Sequence, residues 1–387
     1  MFWNGHFFKI NMHILYNIFI LFAIILIISS CNFNNKQTDP QPTTQDSTQV
    51  EQPELPLLEA GVVEYKDDEA FGEVVELEGR QFVPDSFIFR PRNAKVVVKG
   101  KYLVMRVDVF SQDLHPFIIF DYPAMTYVTE VGKYGNGPDE FIFGDIIPTT
   151  DPDCLCYLME ITRDKLYKLT RKGEIVPYPY SFKRNSTSKE NFKECIHNIG
   201  KDDFIYTDKS KSGRSIFRSY PEGDSIVCKE LYDLNIDKKI KDPFLYVGNL
   251  AINGRKNRMV YAYKQYKKLK FMTIDASIVK ELNYKTSKLD EQTLHTALGL
   301  DNSITHYWGI TGGENFVYCV HSGRIPSDMD ADWDYIYIEQ YDWNGNPIKK
   351  YKLKDFFGKI YVDEERRTIL GINPNHDDPF IEFKLPE

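Results

Sequence analysis

Helical periodicity is almost missing from this chain of 387 residues. Only Leu289 to Leu300 puts Leu289, Leu294, Ala297 and Leu298 on one short apolar face, which reads as a loop helix between larger units. A surplus of positive charge is also missing. With 48 Lys and Arg against 56 Asp and Glu, the net charge is −8, and a nucleic-acid partner is argued against. Cysteine is scarce, with six in the whole chain. No Cys/His spacing is tight enough for a zinc site. No Gly-x-Ser-x-Gly, His-Glu-x-x-His or EF-hand loop occurs, so these routes to hydrolysis and calcium binding are unsupported.

What is present is a two-strand unit recurring roughly every 50 residues, the signature of a β-propeller with one copy per blade. The copies run Tyr102–Val107 with Pro116–Asp121, Cys154–Leu158 with Lys165–Leu169, and Asp203–Asp208 with Arg214–Tyr220. Then come Arg258–Tyr263 with Leu269–Asp275, Asn315–Val320 with Tyr335–Asp342, and Arg367–Ile372 with Pro379–Leu385. Each run is short, rich in β-branched and aromatic residues, and often alternates with polar neighbours, the period-two pattern of strands. The 25 Tyr and 26 Phe suit sheets packed face to face. The expected fold is all-β: a six-bladed propeller of four-stranded antiparallel blades. The last copy ends at the C-terminus without a fourth strand. The N-terminal run Gly72–Glu78 is expected to complete it and close the ring, because an open edge invites aggregation.

The only long apolar run is Ile14 to Ile28, which ends in Ile28-Ser29-Ser30-Cys31. A short apolar core followed by small residues reads as a secretory signal peptide. The ending resembles the bacterial lipobox, which implies diacylation of Cys31 and a signal peptide over residues 1–30. Two acyl chains anchor a protein firmly without a membrane span. Residues 31–60 then read as the lipidated cysteine and a flexible tether, dense in Gln, Thr, Asn and Pro. Residues 61–387 are the propeller. Residue two of the lipidated chain is Asn32 rather than the Asp that favours inner-membrane retention in enterobacteria, so outer-membrane delivery is allowed. The remaining cysteines, Cys154, Cys156, Cys195, Cys228 and Cys319, are odd in number and read as buried free thiols. Cys154 and Cys156 share one strand face and make poor disulfide partners.

One local motif stands out, Gly132-Lys-Tyr-Gly-Asn-Gly-Pro-Asp-Glu-Phe141, between the first and second copies. Gly135 and Gly137 are able to take positive φ, Pro138 fixes the exit, Glu140 is placed to accept loop amides, and Phe141 to plug between blades. This Gly-x-Gly-Pro-x-Glu-Phe pattern resembles the inter-blade segment of TolB-like, NHL-related six-bladed propeller lipoproteins of Bacteroidetes. NHL repeats carry the motif in several blades and this chain carries it once, which favours the TolB-like group.

Candidate ligand-binding residues are His306, Trp308, His321 and Arg324, expected as a cluster at the channel mouth for an anionic or sugar ligand. Against this stands the possibility that each is a separately satisfied polar residue. Asp328, Asp330, Asp332 and Asp334 form an acidic loop in the fifth copy, read as solvated. No catalytic residues and no metal ligands are assigned. The function expected is a non-catalytic binding or scaffold module of the cell envelope, recognising a protein, peptide or glycan chiefly through the insertion from Arg324 to Asp334. The alternatives are a Ca²⁺-dependent hydrolase or lactonase, with Asn249, Glu314 and Asn315 as candidate ligands, and a carbohydrate-active propeller with paired carboxylates.

Overall fold

The computed structural model describes residues 56–82, 94–107, 115–182, 193–285, 304–325, 335–373 and 379–386. The Leu289–Leu300 segment, the Asp328–Asp334 loop, Cys31, His295 and His376 lie outside these residues.

The chain first lays down three short strands, β1 (Gly61–Tyr65), β2 (Val74–Leu77) and β3 (Gly79–Phe82). Blade 1 follows as β4 (Lys95–Lys99), β5 (Tyr102–Arg106), β6 (Phe117–Asp121) and β7 (Thr126–Val131). Blade 2 is β8 (Gly144–Ile147), β9 (Cys154–Glu160), β10 (Lys165–Thr170) and β11 (Ile175–Tyr178). Blade 3 is β12 (Glu194–Gly200), β13 (Asp203–Lys209), β14 (Arg214–Glu222) and β15 (Ser225–Asp233). Blade 4 contains β16 (Gly248–Asn253), β17 (Arg258–Tyr263), β18 (Lys268–Met272) and β19 (Val279–Tyr284). Blade 5 contains β20 (Thr305–Gly312), β21 (Phe316–Arg324), β22 (Tyr335–Asp342) and β23 (Pro347–Lys354). Blade 6 contains β24 (Lys359–Asp363), β25 (Thr368–Ile372) and β26 (Phe380–Lys384). Each blade is an antiparallel meander, and the first strand of each packs beside the first strand of the next, from β4 through β8, β12, β16 and β20 to β24 and back to β4. The fold is the six-bladed all-β propeller expected.

The recurring runs legible in the sequence are the second and third strands of each blade. Their legibility has a physical cause. A second strand is covered on both faces by neighbouring blades, so its apolar residues run almost continuously. Every residue of β9 and of β17 is buried. The apolar core is therefore divided into six clusters, one at each blade interface. One joins blades 6 and 1 through Phe120 and Phe380, and another joins blades 1 and 2 through Phe117, Phe141 and Tyr167. Burying one such aromatic or aliphatic side chain contributes about 1.5–3 kcal/mol.

Closure differs in register from the expectation. Within the Gly72–Glu78 run, Val74–Leu77 does not reach the last blade. It pairs in parallel with β23 of blade 5, from Val74 opposite Lys350 to Leu77 opposite Leu353. Gly79–Phe82, the next four residues, completes blade 6 by pairing antiparallel with β26, Gly79 opposite Phe383. Gly79 is required by space there, because a Cβ would lie 2.4 Å from Ile381. β1 adds in parallel to β19 of blade 4. Blades 4 and 5 thus have five strands rather than four. One N-terminal strap edges three consecutive blades, with Leu58, Phe71 and Leu77 buried against them. Arg258 and Asn344 fasten its start by donating to the Pro56 carbonyl, each at 3.0 Å.

Candidate functional site at the channel mouth

In a four-strand meander the second-to-third connection and the crossing to the next blade open on the same face of the ring. Each inner strand begins at that face. β4 starts with Lys95, β8 carries Asp145 second, β12 carries Cys195 and His197 near its start, β16 carries Asn249 second, and β24 starts with Lys359. Polar side chains from five blades therefore stand at one end of the ring, and hydrogen bonds link Lys95 with Asp145 and Lys359 with Asn249.

The Asp145 carboxylate accepts from Lys95 Nζ at 3.0 Å and from Arg106 at 3.3 Å. Arg106 stands opposite Lys95 in the β4–β5 register. Burial pushes the Asp145 carboxyl up, but Lys95 and Arg106 outweigh it and hold the group below the usual carboxylate range. Lys359 Nζ reaches over to blade 4 and donates to Asn249 Oδ1 at 3.2 Å. Burial lowers the affinity of Lys359 for its proton, and the nearby cations Lys95 and Arg106 lower it further. His197 Nε2 lies 2.9 Å from the Leu250 carbonyl. Because a carbonyl only accepts, that nitrogen carries the hydrogen. Burial, reinforced by Lys95, brings the His197 pKa down to about 4, so the ring is neutral at pH 7. Glu194, next to Cys195, is engaged by Arg214 at 2.7 Å. Among the described residues named at this end, Asp145 is paired with Lys95 and Arg106 and Glu194 with Arg214, while Lys359 has no carboxylate in contact.

The four residues singled out from sequence do not form this mouth. His306 and His321 do meet, with rings stacked at 5.8 Å between centroids, but they are only 3% and 6% exposed. Their setting is a dry box at the interface of blades 4 and 5. Its centre is Glu339, which is fully buried and accepts from the hydroxyls of Tyr307 at 3.0 Å and Tyr341 at 2.9 Å. His321 Nδ1 lies 3.5 Å from Glu339, Lys350 Nζ 3.7 Å and Lys267 Nζ 3.8 Å. Burial holds His321 well below its usual pKa, and Lys267, His306 and Lys350 add to the effect. Trp308 faces the other way, donating to Ser322 Oγ at 3.0 Å and packing edge-on against Phe356. Arg324 lies over the Tyr335 ring at 4.2 Å. His306 was expected at the channel mouth, but it lies within β20 and its ring is buried at the interface of blades 4 and 5.

The proposed calcium ligands do not converge. Asn249 is at the mouth, whereas Glu314 and Asn315 lie in the β20–β21 turn at the other end of the strands, where Glu314 pairs with Arg255 at 2.8 Å. No group of three His, Cys, Asp or Glu side chains suited to a metal is present among the described residues.

The Gly132–Phe141 motif forms a gripped loop between blades 1 and 2. Phe141 is fully buried, edge-on to Phe117 at 5.0 Å. Glu140 accepts from the Gly137 amide at 2.7 Å. Gly135 has φ +156°, but Gly137 is not left-handed. It is small because a Cβ there would lie 2.8 Å from the Glu140 carboxyl. Two residues missed in the sequence hold this loop from blade 2. Buried Glu160 accepts from the amides of Ile142 at 2.6 Å and Phe143 at 3.2 Å, and Arg163 donates to the Gly137 carbonyl at 2.5 Å.

The model of the family described as TolB-like 6-blade propeller-like matches residues 84–365. This chain belongs to that family. Among solved structures, a member of the DUF4221 family from Bacteroides vulgatus is similar at 12% identity and a TM-score of 0.52, over 81% of this chain and 98% of that one. A putative exported protein from Bacteroides fragilis is similar at 11% identity and a TM-score of 0.53, over 84% of this chain and all of that one. At such identity the likeness concerns the fold alone. No curated protein matches the sequence.

Proposed function

We propose that this TolB-like propeller is a non-catalytic binding module of the cell envelope, anchored through a lipidated Cys31 and engaging its ligand at the channel mouth. The observation that carries the binding reading is the convergence of Lys95, Asp145, His197, Asn249 and Lys359 from five separate blades on the face where the inner strands begin. Such a mouth offers several polar groups on a rigid scaffold, the arrangement that ligand sites favour. The anchor is supported by the Ile14–Ile28 run and the Ser29-Ser30-Cys31 ending, and outer-membrane delivery by Asn32.

Two experiments test this. Mass spectrometry of the protein from its native envelope should find a diacylated Cys31 as the first residue; an uncleaved apolar run would refute the anchor. A photo-crosslinking residue at Asn249 should capture an envelope ligand, and the same residue at Asp224, in the exposed β14–β15 turn at the other end of the strands, should not. No adduct at Asn249, or equal adducts at both, would refute the binding reading.

A further inference from the structure

The charges at the mouth do not balance. Asp145 is matched by Lys95 and Arg106. Lys359 hydrogen-bonds the neutral amide oxygen of Asn249; among the described residues no carboxylate pairs with it, and Asp145 acts on it only from a distance. An ammonium withdrawn from bulk water without a counter-charge is costly, and proteins seldom keep one without a partner. Gly309 on the neighbouring inner strand lets that strand approach the backbone just before Lys359, since a Cβ there would lie 2.9 Å from the Gly358 carbonyl. Lys95 reaches the same mouth from the next blade and remains about a quarter exposed, so its ammonium still faces solvent.

We propose that the mouth binds an oxyanion group of the ligand, a carboxylate, phosphate or sulfate, between the ammoniums of Lys359 and Lys95, with Asn249 holding Lys359 in place. The inference rests on the channel mouth being the binding site. Asp145 holds Lys95 and Arg106, which leaves Lys359 as an excess positive charge with no paired carboxylate among the described residues. That excess attracts an anion and repels a metal cation. Charge-assisted bonds from two ammoniums to one oxyanion are the strong kind.

The test uses the full chain in detergent, titrated with inorganic phosphate, sulfate and glucuronate, each against chloride at matched ionic strength. At least one should bind by calorimetry and raise the melting temperature. Lys359→Met and Lys95→Gln should each weaken that binding at least tenfold, and Asp224→Asn should leave it unchanged. Preference for phosphate would indicate a phosphorylated ligand, for sulfate a sulfated one, and for glucuronate an acidic sugar. Should Lys359→Met lose its fold by circular dichroism, Lys95→Gln carries the test, since its side chain is partly solvated. The inference is overturned if none of the three anions binds beyond chloride, or if the folded variants bind as the parent does. A ligand captured at Asn249 together with no oxyanion binding would overturn this inference alone; no adduct at Asn249 would remove the reading beneath it.

Discussion

Two carboxylates in this ring each sit among cations, and they are held in opposite ways. Asp145 lies at the channel mouth, in contact with Lys95 and Arg106 at 3.0 and 3.3 Å, and both partners keep some exposure. Glu339 is sealed between blades 4 and 5, with Lys267 and Lys350 at 3.8 and 3.7 Å and almost no exposure on any of the three. In the box, tyrosine hydroxyls supply the direct hydrogen bonds and the lysines act as nearby charge. Burial around Glu339 magnifies every unmatched charge, whereas the partial exposure of Lys95 and Arg106 moderates it at the mouth. Similar residue types thus serve cohesion in one place and leave an unspent cation, Lys359, in the other.

The largest expected effect comes from the dry box. Glu339→Gln leaves two buried ammoniums without their carboxylate and should lower stability by about 3–5 kcal/mol in urea unfolding. A triple change of Glu339→Leu, Lys267→Met and Lys350→Met should recover most of that loss, because an apolar box needs no counter-charge. A triple variant no more stable than the single one would break the comparison.

Next is pH dependence at the mouth. His197 binds its proton in the fold only near pH 4, against about 6.5 when unfolded. A depressed basic pKa means that the unfolded chain binds more protons between those values. Stability is therefore highest above about 6.5 and falls as pH drops toward 4, by at most about 3 kcal/mol and less where channel water screens the charge. Thermal unfolding from pH 7 to pH 4 should show a shallower decline in His197→Gln than in the parent.

Smaller still, Asp145→Asn should cost about 1–2 kcal/mol, clearly less than the Glu339 change, because Lys95 and Arg106 can turn toward solvent. Smallest is Lys359→Met. It removes an unbalanced cation and should raise stability slightly, on the order of 0.5–1 kcal/mol by denaturant midpoint, while abolishing oxyanion binding. A variant that stabilises and still binds would merge the two regions into one purely structural category.

The ring was legible in the sequence because second strands such as Arg258–Tyr263 are covered on both faces and read as continuous apolar runs. Inner strands were not. Gly144–Ile147 is only four residues long, and β4 and β24 are short runs of three apolar residues framed by charged ones. The mouth was illegible for a related reason. Lys95, Asp145, His197, Asn249 and Lys359 are each alone in their stretch of chain, and only the ring's symmetry assembles them. Asn249 stands at the mouth, whereas Glu314 and Asn315, its expected partners in a metal site, lie at the far end of the strands. His306 and His321 lie side by side, buried at the interface of blades 4 and 5, and no local pattern in the sequence distinguishes a buried histidine from an open one. The strand that completes blade 6 lies a few residues beyond the expected run, because Gly79–Phe82 carries a single large apolar residue, Phe82, and does not read as a strand.

The strap along blades 4, 5 and 6 also sets a timetable. Its strands are among the first of the propeller to leave the ribosome, yet their partners begin at Val279, Pro347 and Phe380. Three strand edges must therefore wait, unpaired, for roughly 200–300 residues of further synthesis, and the ring cannot lock until β26 has emerged. Pairings so distant in sequence are slow to form. The strap is made before every blade it edges, and loss of β26 would leave β3 without its partner.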